Sequence, residues 1–209
     1  ELKQLPFDAV EQVNLHNAKY PPNLSLNGYV NQFFIALWAQ EGKEGKPGDR
    51  LAVCERLHNE GSPHVGQANV FVSWFLNTPI DTLLDALANF LEQKGLQEND
   101  TFFWVCDYVI RQTDVKTDLA YLGDCVSALG HTVLMMEPWN NPEPLKRAYC
   151  IKEVYHTQLS GARLDMAMST EQEQDFRSEL MNADINSIQA RLLVDVQQVR
   201  ATLGCFTCV

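Results

Sequence analysis

Apolar positions divide the chain into two parts with different patterns. From Ala68 onward, short apolar runs alternate with stretches in which apolar residues recur every three or four positions. The short runs predict buried strands, and the recurring spacing predicts amphipathic helices. Before Ala68, prolines and the glycine-rich run 41–48 interrupt the segment. Two short helices, over Tyr29–Gln40 and Asp49–Glu60, are nevertheless predicted there.

The second part reads as alternating strands and helices. Strands are predicted over Asn69–Ser73, Thr101–Cys106, Thr132–Met136 and Ala162–Met168. Helices are predicted from Thr78-Pro79 to Gly95 and over Asp118–Leu129, Leu145–Gln158, Thr170–Met181 and Asp184–Leu203. Such alternation predicts a parallel sheet of four or five strands with helices on both faces, a three-layer flavodoxin-like α/β domain. We therefore divide the chain into an irregular, partly helical extension or docking arm, 1–67, and an α/β domain, 68–209.

Composition narrows the class of partner. The 209 residues are 45% hydrophobic, which supports one folded domain with an extension, and the net charge is −11. An acidic balance disfavours nucleic acid and anionic membranes, because both reward clusters of Lys and Arg. No apolar run approaches the roughly 18–20 residues of a membrane helix. The expected partners are proteins or further copies of the chain, and docking on a membrane-bound complex is compatible with this.

Six cysteines are present, and four of them lie in apolar surroundings. This density is too low for a disulfide scaffold and indicates a reducing compartment inside the cell, either cytoplasmic or organellar. A targeting peptide removed before Glu1 is compatible with the sequence. Cys205 and Cys208 form a C-x-x-C pair without a second pair at zinc-site spacing, so no metal site is predicted.

Candidate chemistry is expected where the predicted strands end, because parallel sheets place their sites at the carboxyl ends of strands. The candidate ligand-binding residues there are Ser73, Trp74, Asp107, Glu137 and Trp139. The alternative for the two acids is that they cap backbone N–H groups of the next loop, and for Trp139, as for Trp104, that it packs in the core. The histidines are scattered, which argues against a Ser-His-Asp hydrolase, and no glycine-rich phosphate loop is present.

Three segments in order carry a family resemblance: Phe71–Trp74, Phe103–Asp107 and Pro138–Glu153. Together they resemble the Toll/interleukin receptor-type (TIR-like) domains found in protist and algal proteins. The helix segment Tyr149-Cys-Ile-Lys-Glu153 is similar to the Trp-Cys-x-x-Glu pattern of that family. The resemblance covers about two-thirds of the chain and implies the same flavodoxin-like fold.

The resemblance implies two kinds of function. Many TIR domains are assembly modules, whereas others hydrolyse NAD with a catalytic glutamate at the position matched by Glu153. No cofactor is implied, and NAD would be the substrate. Enzymatic members usually carry an arginine just after the first strand, but Trp74–Thr78 holds no basic residue and Arg111 stands elsewhere.

The missing arginine favours an interaction or assembly module, such as an accessory subunit of a larger complex. An NAD nucleosidase using Glu153 is the alternative, and a small-ligand binder without turnover is a weaker one. Glu153 could equally be an ordinary solvated or structural glutamate. For Arg147, an ion pair with Glu143 across the start of the helix is the structural alternative.

Overall fold

The computed structural model describes residues 26–41 and 48–182. They belong to two units, which divide after Gln172. The strands are β1 Val70–Ser73, β2 Phe103–Trp104, β3 His131–Met135 and β4 Arg163–Ala167. The helices are α1 Gly28–Glu41, α2 Val53–Asn59, α3 Ile80–Lys94, α4 Cys106–Val109, α5 Val115–Leu119, α6 Leu122–Leu129, α7 Ala148–Leu159 and α8 Thr170–Asn182, with 3-10 turns at Glu98–Asp100 and Glu143–Lys146. The predicted helix Asp184–Leu203 and the Cys205–Cys208 pair lie outside the described residues.

The four strands form one parallel sheet in the order β2-β1-β3-β4. Alternate residues of each strand face opposite layers, as the pleat requires. Val70 and Val72 of β1 pack with Leu83 of α3 on one face, whereas Phe71 packs with Val126 of α6 on the other. The predicted flavodoxin-like α/β fold is therefore confirmed.

Two left-handed glycines end helices where the sequence predicts them to end. Gly95 follows α3 with φ 62°, and Gly130 follows α6 with φ 67°. A residue with a Cβ is strained at such angles, so glycine is the favoured helix stop. Within the described residues, no helix is long and apolar enough to cross a membrane.

Two predicted elements are wrong in their extent. The predicted helix Asp118–Leu129 is two helices, because 3-10 bonds from Ala120 to Thr117 and from Tyr121 to Asp118 end α5. The predicted strand Thr101–Cys106 pairs only over Phe103–Trp104, and the chain turns into α4 at Cys106.

The predicted helix Leu145–Gln158 is also interrupted. A 3-10 turn ends at Lys146, and Arg147 is extended, with φ −105° and ψ 126°, before α7 begins at Ala148. The N–H group of Arg147 is bonded to the Pro144 carbonyl in a 3-10 geometry, which closes the turn. The break directs Arg147 away from the helix, and this matters for the site below.

Helix α1 comes from the segment that the sequence assigns to the extension, and it contacts the sheet domain. Asn27 forms an isolated antiparallel β-bridge with Pro79, and the Tyr29 N–H group donates to the Leu76 carbonyl. Gly28 lies so close to the Trp74 ring that an added Cβ would stand 2.7 Å from it. Helix α1 is thus attached beside the carboxyl end of β1. The division of the chain at residue 67 stays a prediction.

Candidate functional site

The strand order creates one switch point in the described sheet. From β1 the chain proceeds to β2 on one side, and it then returns to β3 on the other side of β1. The carboxyl ends of β1 and β3 consequently flank a position from which the connections leave in opposite directions, and flavodoxin-like sheets bind their ligands there. Ser73 is the last residue of β1, and Glu137 lies two residues beyond the end of β3.

A serine–glutamate pair occupies this switch point. Ser73 is fully buried, and its hydroxyl donates to Glu153 Oε2 of α7 at 2.5 Å. Burial raises the pKa of Glu153 to about 7, and the Ser73 hydrogen bond only partly opposes that rise. Glu153 nevertheless keeps an intermediate exposure to solvent. The site therefore holds a carboxyl group that changes charge near neutral pH and that remains within reach of a ligand.

Residues on one face of α7 hold Glu153 beside the carboxyl end of β1. Cys150, Glu153 and Thr157 share that face through their i, i+3 and i+7 spacing. The Cys150 thiol donates to the Trp74 carbonyl at 3.4 Å, and the Thr157 hydroxyl donates to Thr132 Oγ1 of β3 at 2.8 Å. Burial raises the pKa of Cys150 to about 11, so the thiol stays protonated. Contacts on both sides thus fix the glutamate against β1.

Asp107 is a second buried acid beside the switch point. It has no exposed surface, and its two oxygens accept from Asn31 Nδ2 at 3.0 Å and Gln32 Nε2 at 2.8 Å. Burial raises the pKa of Asp107, and the two amide hydrogen bonds oppose part of the shift. The two amide partners belong to α1, and the adjacent Cys106 thiol of α4 donates to Oδ1 at 3.4 Å. No local sequence pattern indicates the amide contacts, which join residues 75 and 76 positions apart.

Arg147 supplies a cation at the same end of the sheet. Its guanidinium lies 5.0 Å from the centroid of the Phe75 ring, and it donates to the Tyr29 hydroxyl. The suggested ion pair with Glu143 is wrong, because Lys146 Nζ holds Glu143 at 2.5 Å. The sequence placed no basic residue just after β1. The structure places the Arg147 guanidinium over Phe75, which stands at that position.

The remaining candidate residues have other surroundings. Trp74 is 4% exposed and packs in the core, so its ring does not line an open surface. Glu137 Oε1 accepts from the Ser169 N–H group at 2.6 Å, and the Trp139 N–H group donates to Gln172 at 3.0 Å. Both hold the loop that follows β3. Their roles in ligand binding stay predictions.

No metal-binding group is formed by His, Cys, Asp or Glu side chains in residues 26–41 and 48–182. A shallow cleft of about 570 Å³ lies at the amino end of β1, opposite the switch point. Its lining consists of Gln67, Ala68, Asn69, Ala128 and Leu129. Because none of these side chains titrates or acts as a nucleophile, the chemistry of the protein is better sought at the switch point.

Comparison of the chain with family models, with curated proteins and with solved structures found no match in any of the three.

Proposed function

We propose that the chain is a TIR-like NAD nucleosidase in which Glu153 is the catalytic residue. The observation that carries the proposal is the contact between Ser73 and Glu153 at the carboxyl end of β1. The substrate would then lie where ligands bind in flavodoxin-like sheets. Glu153 is a titratable group that burial makes harder to ionise, as is typical of catalytic groups. The Trp-Cys-x-x-Glu-like segment provides independent support for the same residue.

The reaction converts NAD and water into nicotinamide, ADP-ribose and a proton. The bond between ribose C1′ and the pyridinium nitrogen breaks, and its electron pair stays on the nitrogen, so nicotinamide departs as a neutral molecule. A leaving group of this kind needs no proton from the enzyme. One carboxylate therefore suffices, whereas ordinary glycosidases need a second carboxyl group as the acid.

The carboxylate of Glu153 stabilises the positive charge that develops on the ribose as the bond breaks, or it holds the ribose hydroxyls in place. Water then adds to C1′ and releases its proton. The Ser73 hydroxyl fixes the orientation of the carboxylate through its hydrogen bond. Because the pKa of Glu153 is about 7, the active ionised form increases as the pH rises through neutrality.

Release of nicotinamide from NAD by the purified full chain tests the proposal. We expect Glu153→Gln to lower kcat at least about a hundredfold, since the charge that stabilises the transition state is lost. Glu92→Gln is the matched control, because Glu92 is exposed on α3, which packs on the other face of the sheet. No release by the wild-type protein, or equal release by Glu153→Gln, would refute the enzyme.

A protein-interaction module is the second candidate, and one feature of α7 favours it. Ile151, Tyr155 and Leu159 recur at i, i+4 and i+8, and they are 46%, 60% and 68% exposed. Three large apolar side chains in one exposed row are typical of a surface that associates with protein. Light scattering over a range of concentrations should give a mass above the monomer for the wild type and a monomer for Tyr155→Glu. A wild-type monomer throughout would count against self-association.

A further inference from the structure

Arg147 differs from Arg111 in having aromatic and not acidic neighbours. Its guanidinium lies over the rings of Phe75 and Tyr29, at 5.0 and 5.7 Å from their centroids. Arg111, in contrast, is bonded to Asp118 at 2.5 Å. Within the part of the chain that the structure describes, no carboxylate forms an ion pair with Arg147. This is notable in a chain with 27 acidic and 16 basic residues.

The surroundings of this guanidinium suit an anionic ligand such as a phosphate group. Nη1 of Arg147 donates to the Tyr29 hydroxyl, and the rest of its N–H edge can donate to phosphate. Arg147 is of intermediate exposure, so that edge can meet solvent and solute. No side chain caps the first turn of α7, which begins at Ala148. The positive end of the helix therefore adds to the charge of the guanidinium.

Arg147 and Glu153 both lie at the carboxyl end of β1. Glu153 accepts from Ser73, which ends β1, and the Arg147 guanidinium lies over Phe75, two residues further along the chain. Cys150 lies between them and experiences both charges, since Glu153 raises its pKa and Arg147 lowers it. In NAD, the bond to nicotinamide and the nearest phosphate are attached to the two ends of a single ribose. A nucleotide that contacts both groups would present its scissile bond to the carboxylate and its phosphate to the guanidinium.

We propose that Arg147 anchors the phosphate of a dinucleotide and that Tyr29 and Phe75 form the rest of this anchoring site. The proposal rests on the function proposed above and defines its substrate class as phosphate-bearing nicotinamide nucleotides. It also makes α1 a part of the substrate site, because α1 carries Tyr29. The bonds from Asn31 and Gln32 to buried Asp107 hold α1 in position.

The kinetic test compares two substrates that share the scissile bond. NAD carries phosphate, and nicotinamide riboside does not. We expect Arg147→Gln to raise KM for NAD about tenfold or more, through loss of a charge-assisted contact, and to leave the constants for nicotinamide riboside within about twofold. Arg147→Lys should fall between the two, because it keeps the charge and loses the planar fork. Arg177→Gln, at an exposed arginine of α8, is the matched control.

A binding measurement separates this proposal from the reaction itself. ADP-ribose is titrated calorimetrically into Glu153→Gln and into the double variant Arg147→Gln/Glu153→Gln, neither of which needs to turn over. We expect affinity to fall about tenfold in the double variant and to weaken with added salt in the single variant.

The outcomes are distinguishable. Arginine-dependent binding without nicotinamide release by the wild type would refute the nucleosidase and keep the anchor. Hydrolysis of NAD with an unchanged KM in Arg147→Gln would refute the anchor and keep the nucleosidase. Equal effects of Arg147→Gln on NAD and on nicotinamide riboside would overturn the phosphate contact, and no binding of ADP-ribose would do the same.

Discussion

Acidic residues at the two ends of the sheet have pKa values shifted in opposite directions. Toward the amino ends of β3 and β4, Asp165 accepts bonds from three groups: Lys94 at 3.0 Å, His131 at 2.9 Å and Arg163 at 2.6 Å. Burial raises the pKa of Asp165, but these bonds outweigh it and leave the pKa below its ordinary value of 3.8. At the carboxyl end, Glu153 receives one neutral hydroxyl, and its pKa is about 7.

This difference separates a structural end of the sheet from a functional one. A carboxylate surrounded by cationic groups is stabilised in the folded state, whereas one held by burial against a neutral donor is destabilised when it ionises. Folding alone gives no reason to place Glu153 there. Groups held at such a cost are typical of sites where a charge is used for binding or catalysis.

The first way to test the comparison is to remove the acid at the amino end. In Asp165→Asn, Lys94 and Arg163 lose their counter-charge while the site remains largely buried, with Asp165 only 14% exposed. We expect the free energy of unfolding to fall by about 2 to 3 kcal/mol at pH 7, measured by urea denaturation. Asp100→Asn, at an exposed position, is the control and should change it by less than about 0.5 kcal/mol.

The pH dependence of that loss has a definite sign. Because the folded pKa of Asp165 lies below 3.8, its contribution is present above pH 3.8 and disappears as the pH falls toward the folded value. The gap between the wild type and Asp165→Asn should therefore close below pH 3.8. A gap that stayed constant down to acid unfolding would mean that the carboxylate charge contributes nothing.

Removal of the acid at the carboxyl end, in Glu153→Gln, should instead stabilise the protein. Glu153 has a folded pKa of about 7 and an ordinary value of 4.5, so the unfolded chain binds fewer protons than the folded one between these values. Stability consequently falls as the pH rises through this window. We expect Glu153→Gln to be about 2 to 3 kcal/mol more stable than the wild type at pH 8. This is somewhat less than about 1.4 kcal/mol for each of the roughly 2.5 pKa units, because Glu153 keeps some exposure to solvent.

Urea denaturation of both proteins between pH 4 and pH 8 measures this effect. The advantage of Glu153→Gln should vanish near the acid end of the range, where the glutamate is protonated in both states. The control Glu92→Gln, at an exposed position of α3, should change the free energy of unfolding by less than about 0.5 kcal/mol. Equal stability of Glu153→Gln and the wild type at pH 8 would contradict a buried, destabilised carboxyl group, whatever the enzyme assay gave.

The sequence predicted the layers of the fold more completely than the contacts of its site. Runs such as Val70–Ser73 and the stripe of α3 report burial through a few neighbouring residues, so periodicity is sufficient to find them. The predicted end of β1 placed Ser73 among the candidates, whereas Glu153 came from the family resemblance. Their contact joins residues 80 positions apart, and no local pattern encodes it.

Two further contacts of the site depend on helix packing and on a backbone break, neither of which the hydrophobic pattern encodes. Asn31 and Gln32 reach Asp107 because α1 packs against α4. Arg147 contacts Phe75 where the backbone leaves the helical conformation. In a continuous helix Arg147 would lie four residues after Glu143 on the same face, which is the basis of the predicted ion pair.

The smallest expected effect concerns the single donor to Glu153. The Ser73 hydroxyl lowers the pKa of Glu153 against the larger effect of burial, so Ser73→Ala should raise that pKa further. The difference in unfolding free energy between Ser73→Ala and Ser73→Ala/Glu153→Gln, followed against pH, isolates the titration from any packing loss. We expect its midpoint to move upward by less than about one pH unit, consistent with one hydrogen bond from a neutral group. A midpoint that fell, or that did not move, would mean that the hydroxyl does not stabilise the ionised carboxylate. In that case the raised pKa of Glu153 would reflect burial alone, and the Ser73 hydroxyl would not help Glu153 to ionise.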